Sequence, residues 1–176
     1  MTPATETLRD GSHVVIRPLR PEDGALYPDF LADVTPDDLR LRFFAPVAEL
    51  SEAMIDRLTH YNPATAMAFI ALSVPGGRML GVVRLHDDTD GASGSRSASK
   101  GAEFAVLVRS SLKGQGLGWL LMKRMIGYAR KHGIAVVHGQ VLDENSTMLA
   151  MCEELGFHVA DDPAERGMKY VTLALN

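Results

Sequence analysis

The stretch Val106-Leu107-Val108-Arg109-Ser110-Ser111-Leu112-Lys113-Gly114-Gln115-Gly116-Leu117-Gly118 constrains this chain more than any other. An apolar run ends in a short polar turn, three glycines follow at alternate positions, and an amphipathic stretch continues to His132. That order predicts a strand, a glycine-rich turn and a helix. A helix N-terminus presents unpaired N–H groups and roughly +0.5 charge from its aligned peptide dipoles. Glycine lets the backbone come close to a bound group. Together they make an anion site suited to a phosphate or pyrophosphate. No Gly-Lys-Ser/Thr closes the turn, so it is not a P-loop, and its glycine spacing is not the dinucleotide fingerprint. For an isolated Gly-x-Gly, a tight turn without a ligand is the better reading, so the rest of the chain has to decide.

The 176 residues suffice for one domain with a full core and hardly for two. Apolar content of 46% and charged content of 23% are ordinary for a globular protein. A net charge of −4 argues against nucleic-acid binding, which leaves a basic footprint. No apolar run approaches the ~20 residues of a membrane span, and no apolar signal segment opens the chain. The expectation is therefore a cytoplasmic protein. The single cysteine, Cys152, excludes an internal disulfide and a cysteine-based metal cluster. The six histidines show no metal-ligand spacing, so no metal site is expected.

Residues 1–12 look like a polar lead-in to a single domain over 13–176. His13–Leu19 predicts a strand and Glu22–Asp33 a short helix. Thr35 suits a helix N-cap, with Pro36 at the first helical position and Asp37 and Asp38 facing the positive dipole end. That helix should end near Arg42-Phe43-Phe44, and Ser51 should open another amphipathic turn or two. Ala66–Val74 and Arg78–His86 flank Pro75-Gly76-Gly77 and predict an antiparallel hairpin. The segment 87–101 is rich in glycine and serine and reads as a mobile loop. Ala102–Arg109 leads into the glycine turn. The following helix turns Leu117, Leu120, Leu121, Met125 and Tyr128 inward and ends at Arg130-Lys131-His132-Gly133. Strand Val136–Leu142, a helix capped at Asn145 or Ser146 and strand Tyr170–Leu175 complete the chain. The expected fold class is α/β (α+β), with a mixed sheet and helices on both faces.

Lys113-Gly114-Gln115-Gly116-Leu117-Gly118 after a strand, then Asn145, then a helix ending Leu155-Gly156-Phe157, resembles the GNAT superfamily of acyl-CoA-dependent N-acyltransferases. Within it, IRPLRPED, LRLRFFAP, LGVVRL, AEFAVLVR and QVLDEN look like the catalytic domain of bacterial Pat-type protein lysine acetyltransferases. The resemblance implies a mostly antiparallel central sheet and acetyl-CoA as co-substrate. It implies cofactor contacts at Lys113, Gly114, Gln115, Gly116, Leu117, Gly118 and Asn145, and through the backbone groups of Val106, Leu107 and Val108. Pat-type domains are often fused to an acyl-CoA synthetase-like or cyclic-nucleotide-binding region. Neither is present, so a free-standing catalytic domain, or one cut from a longer protein, is expected. Lys113 stands where most relatives carry Arg or Gln. Cys152 stands where many small-molecule acetyltransferases carry a Tyr acid, so that role does not transfer.

Acyl transfer from a thioester requires a bound acyl-CoA, a neutral amine and support for the oxyanion. A lysine with a pKa near ~10.4 arrives protonated, so something must take its proton. In AEFAVLV, alternation puts Glu103, Ala105 and Leu107 on one face and Ala102, Phe104, Val106 and Val108 on the other. Both faces are otherwise apolar, so a partly buried Glu103 could be a base or an ion-pair partner of Arg84. Alternation leaves these level. The resembling family, where a strand Glu near this place acts as base, favours catalysis. The expected function is acetyl transfer to a lysine side chain of a partner protein, for instance an acyl-CoA synthetase. The alternatives are a GNAT acting on a small amine or amino acid, and a non-catalytic acyl-CoA-binding sensor. Arg40 and Arg42 pair with acids or line the acceptor site, and Cys152 reads as a small buried hydrophobe.

Overall fold

The computed structural model describes residues 2–45, 47, 49–90 and 100–175. Among the described residues, eight strands form one sheet in the order β1-β2-β3-β4-β5-β6-β8-β7. They are β1 (Ala4–Thr7), β2 (His13–Pro18), β3 (Ala66–Val74), β4 (Met79–Asp87), β5 (Gly101–Val108), β6 (Val136–Leu142), β7 (His158–Asp161) and β8 (Met168–Ala174). All neighbours are antiparallel except β5 and β6, which run parallel. The helices are α1 (Tyr27–Ala32), α2 (Pro36–Phe43), α3 (Glu52–Thr59), α4 (Leu117–Lys131) and α5 (Ser146–Glu154). The mixed sheet with helices on both faces matches the fold class read from the sequence.

Period-two alternation divides the core. Phe69 and Ala71 of β3, with Ala102, Phe104 and Val106 of β5, pack against Leu121, Met125 and Ala129 of α4 and Cys152 of α5. Ala68, Ile70 and Leu72 of β3 pack on the opposite face against Tyr27, Phe30 and Leu39 of α1 and α2. A Cβ at Gly81 would meet Leu121 at 2.9 Å and Leu107 O at 3.2 Å, so this bare position of β4 sets how closely α4 sits on the sheet.

Three expectations need adjusting. The lead-in carries β1, which pairs with β2 from Ala4↔Ile16 to Thr7↔His13. Glu22–Asp33 is not one helix: a 3-10 turn over Pro21–Leu26 precedes α1. Pro28 has no N–H to continue an upstream helical ladder, and Asp23 is held by Arg17 at 2.7 Å. β7 was not anticipated, because four residues with mostly exposed side chains carry no alternation. Of the expected loop over 87–101, Asp87 closes β4, Asp88–Asp90 form a 3-10 turn and Gly101 opens β5; residues 91–99 lie outside the described residues.

The β5–β6 ladder runs only from Gly101↔Val136 through Ala102↔Val137 to Glu103↔His138. The next residue, Phe104, lies against bare Gly139, where an added Cβ would stand 2.7 Å from the Phe104 ring. Phe104 is itself wedged against Phe157, with centroids 5.4 Å apart. Gly139→Ala should therefore cost about 1–3 kcal/mol through overpacking. Chemical denaturation checks this; an unchanged midpoint would show that the ring moves freely and does not set the splay.

Candidate active site

The splay leaves one edge of β5 without a strand partner. Arg109 N–H donates to Leu80 O of β4. Main-chain groups alternate in direction along a strand, so Leu107 and Ala105 also address β4, while Val106 and Val108 turn theirs toward the gap. All three residues whose backbone was expected to contact a cofactor line the gap, the main-chain groups of Val106 and Val108 facing it and those of Leu107 facing β4.

The gap opens into a cleft of about 1260 Å³, larger than a compact ligand needs. Glu103, Val106, Val108, Gly116 and Asn145 all line it. At one end lies the glycine turn. Gly114 and Gly116 take φ of 82° and 86°, the left-handed region that glycine adopts without steric cost. Gly116 is the N-cap of α4, and no side chain caps that helix. The N–H groups of the first turn, from Leu117 and Gly118 onward, are thus free at the cleft wall.

The turn is held from behind by the α1–α2 corner. Buried Arg109 donates Nε to Met79 O at 2.7 Å and Nη2 to Asp29 at 2.5 Å. Ser110 N–H donates to Asp33 O at 2.8 Å, and Ser110 Oγ accepts from Thr35 N–H at 2.9 Å. Lys113 Nζ and Ser110 Oγ both donate to Asp38. Burial pushes the Asp38 carboxyl up, but the bonds from Lys113 and Ser110 and the Lys113 charge outweigh it and hold the group below its usual value. Lys113, expected as a phosphate contact, is thus already paired with a carboxylate 8% exposed.

Asn145 caps α5 by accepting Met148 N–H at 3.2 Å, and it also lines the cleft. Glu103 differs from its expected state. Its side chain is exposed on the cleft wall rather than partly buried. The ion pair with Arg84 does not form: Arg84 stands beside Ala105 and donates to Tyr27 Oη at 2.9 Å, while Glu103 stands beside His86 and His138. Cys152 is fully buried and its thiol is pushed up to about 12 by that burial, which makes it a packing residue. His138 is held by Asp88 at 2.9 Å, and His132 stacks on Tyr128.

Arg40 and Arg42 separate cleanly. Arg40 bridges to Asp37 at 2.9 Å and to Glu144 at 2.7 Å. Arg42 lines the cleft, sits over the Phe43 ring and makes no ion pair among the described residues. Burial and then the like charge of Arg84 push its guanidinium down to about 10. Sequence reading missed Arg9, Asp38 and Trp119 as cleft residues. Arg9 and Asp38 reach the turn from distant segments, and Trp119 carries no signal beyond its place in an amphipathic helix.

The profile of the Acetyltransferase (GNAT) family matches residues 33–157. An acetyltransferase of Pseudomonas aeruginosa is 32% identical over 97% of this chain and 88% of its own length. The GNAT domain of S. lividans PAT superposes with a TM-score of 0.86 at 27% identity, covering 98% of this chain and 97% of that one. Arabidopsis thaliana NAA60, solved in complex with acetyl-CoA, shares the fold with a TM-score of 0.66 at 12% identity over 92% of this chain and 98% of that one. The chain belongs to the GNAT acetyltransferase family. It is an acyltransferase of the kind that uses acetyl-CoA.

Asp38 and Asp23 are both held below the ordinary Asp value of ~3.9, Asp23 by Arg17 and the Arg20 N–H against its own burial. A depressed folded value contributes stability that is complete above the unfolded value and is lost as the pH falls through the folded one. Melting temperature should drop below about pH 4, and Asp38→Asn should flatten part of that drop. Thermal melts between pH 2 and 6 test this, and an identical acid limb in the variant would remove Asp38 from the account.

Proposed function

We infer that this protein transfers the acetyl group of acetyl-CoA to the ε-amine of lysine in another protein. The pyrophosphate sits at the turn from Lys113 to Gly118, where N–H groups and the helix dipole favour negative charge. The pantetheine arm runs along the unpaired edge of β5, taking main-chain bonds from Val106 and Val108 and a contact from Asn145. The thioester then lies beside the stretch that starts at Glu103. Glu103 accepts the proton of the incoming ammonium, directly or through water, and the neutral amine attacks the thioester carbon. The tetrahedral oxyanion is met by backbone N–H of the splayed strand; as it collapses, the C–S bond breaks and the second proton of the attacking nitrogen passes to the departing CoA thiolate, leaving the neutral amide and CoA thiol.

One observation carries this reading: an exposed carboxylate without a protein partner among the described residues stands on the cleft wall where pairing of β5 and β6 ends. A carboxylate that served as a structural ion pair would be bound to Arg84. The choice of a protein acceptor draws on the likeness to the S. lividans PAT domain over nearly the full length of both chains. A second reading, a small amine or amino acid as acceptor, draws on Arg42. Its unpaired guanidinium in the cleft would suit a carboxylate on such a molecule. A non-catalytic acyl-CoA sensor would have no use for Glu103.

Mass spectrometry of candidate acyl-CoA synthetases, incubated with acetyl-CoA and this protein, separates the first two readings. A modified lysine supports the first; fast turnover of small amines with no labelled protein supports the second. Glu103→Gln should leave acetyl-CoA affinity nearly intact and lower turnover about 10²–10⁴-fold. Raising the pH should restore part of the rate, because more of the acceptor lysine is then neutral. A variant that melts lower but turns over at the wild-type rate per folded molecule would end the base assignment.

A further inference from the structure

We propose that Arg9, at the β1–β2 turn, is the side-chain cation that holds the phosphates of CoA, and that Lys113 is a brace. This rests on docking of the pyrophosphate at the glycine turn. The position that supplies a cation or donor in the family pattern is Lys113, and its charge is engaged. Lys113 Nζ is bonded to Asp38, whose side chain is 8% exposed and also takes Ser110 Oγ. The ammonium is half exposed and keeps further donors, but drawing it away to a phosphate would take from that carboxylate its charged partner, and removing one partner of a buried pair is strongly destabilising.

Arg9 is in the opposite condition. Its main-chain N–H donates to Gln115 O at 3.1 Å, and its Nη1 donates to Gly114 O at 3.1 Å. Its Nε lies 3.7 Å from where a Gly116 Cβ would be. The guanidinium is thus laid on the glycine turn itself, and the side chain is exposed and lines the cleft. Its partner is a neutral carbonyl, and among the described residues no carboxylate pairs with it. The neighbouring Asp10 is occupied by the N–H and Oγ of Ser12, at 2.9 and 2.6 Å. A guanidinium has five N–H donors in a planar fork that matches phosphate oxygens, so most of its donors remain for a ligand. The segment that presents it is built for the purpose: Leu8 is buried, Leu8 N–H donates to Ser12 O at 2.9 Å, and β1 ties the hairpin to the sheet.

Calorimetric titration of acetyl-CoA into wild type, Arg9→Ala and Arg9→Lys, at low and high salt, tests this. Acetyl-pantetheine, which has no phosphates, serves as a competing acetyl donor in turnover assays. Arg9→Ala should weaken acetyl-CoA about tenfold or more at low salt, and the deficit should shrink at high salt, where exposed charges are screened. Arg9→Lys should recover part of the affinity. The KM for acetyl-pantetheine and the melting temperature should barely move. Wild-type affinity in Arg9→Ala would overturn the assignment. Equal losses for acetyl-CoA and acetyl-pantetheine would overturn it too, since they mark a collapsed turn rather than a missing charge. Folded Gly116→Val provides the control for the underlying reading. If it binds acetyl-CoA normally, the turn is not the phosphate site and the Arg9 assignment falls with it. If it loses binding while Arg9→Ala does not, only Arg9 is wrong.

Discussion

The ladder between β5 and β6 stops after three residue pairs, and the rest of the molecule is arranged around that stop. A strand edge with unsatisfied N–H and C=O groups inside a protein is unfavourable unless something takes them up. Here the edge faces a cleft, so the natural partner is a ligand with its own amide groups. The stop is fixed on both sides. On one, bare Gly101 lets Asp88 reach His138 and hold it, with the ring of Tyr170 packed near. On the other, the Phe104 ring occupies the space over Gly139 and rests on Phe157. The glycine turn then follows directly from the free end of β5, so main-chain groups and helix N-terminus face one continuous space.

Charges around this space fall into two sets. The first is a brace. Asp29, Asp33 and Asp38 of the α1–α2 corner engage Arg109, Ser111, Ser110 and Lys113 and hold the turn by several hydrogen bonds. Arg109 is almost wholly buried, so its role is architectural. The second set is Arg9, Arg42 and Glu103, which line the cleft without an ion-pair partner among the described residues. An overall charge of −4 gives no hint of this, because it sums 22 acids and 18 bases over the whole chain rather than the few that face the cleft. Net charge describes solubility and long-range fields, and says little about a site whose charges are few and local.

Much of this was legible in the sequence because it is local. The turn and α4 could be read from one window, since glycine punctuation and a 3.6-residue apolar period lie within it. The alternation of β5 separated Phe104 and Val106 from Leu107, and the structure sets the first two in the α4 layer and Leu107 in the other. What escaped is what depends on contacts between distant segments. Nothing near Arg9 indicates that it will meet Gly114, 105 positions away. The Lys113–Asp38 pair was hidden for the same reason: each residue had a sufficient local role, one as a family-pattern cation, the other as a helix-dipole acid. Burial of Glu103 was misjudged because apolar neighbours on both sides suggest a strand enclosed on both faces, and only the sheet topology shows where β6 departs.

The register that shapes the cleft also protects the carboxylate. A slip of one residue in β5 would exchange its two faces. Glu103 would turn toward the apolar layer of Leu121, Met125 and Cys152, and Phe104 and Val106 would turn away from it. Burying an unpaired carboxylate there costs far more than a typical packing error, so the alternative pairing is strongly disfavoured. The same charge that is a candidate for chemistry thus helps to specify the fold. It sits in the last residue pair before the strands part, Glu103↔His138. There the sheet continues on one side of it and the cleft begins on the other, so pairing holds its backbone in place while its side chain stays open to solvent.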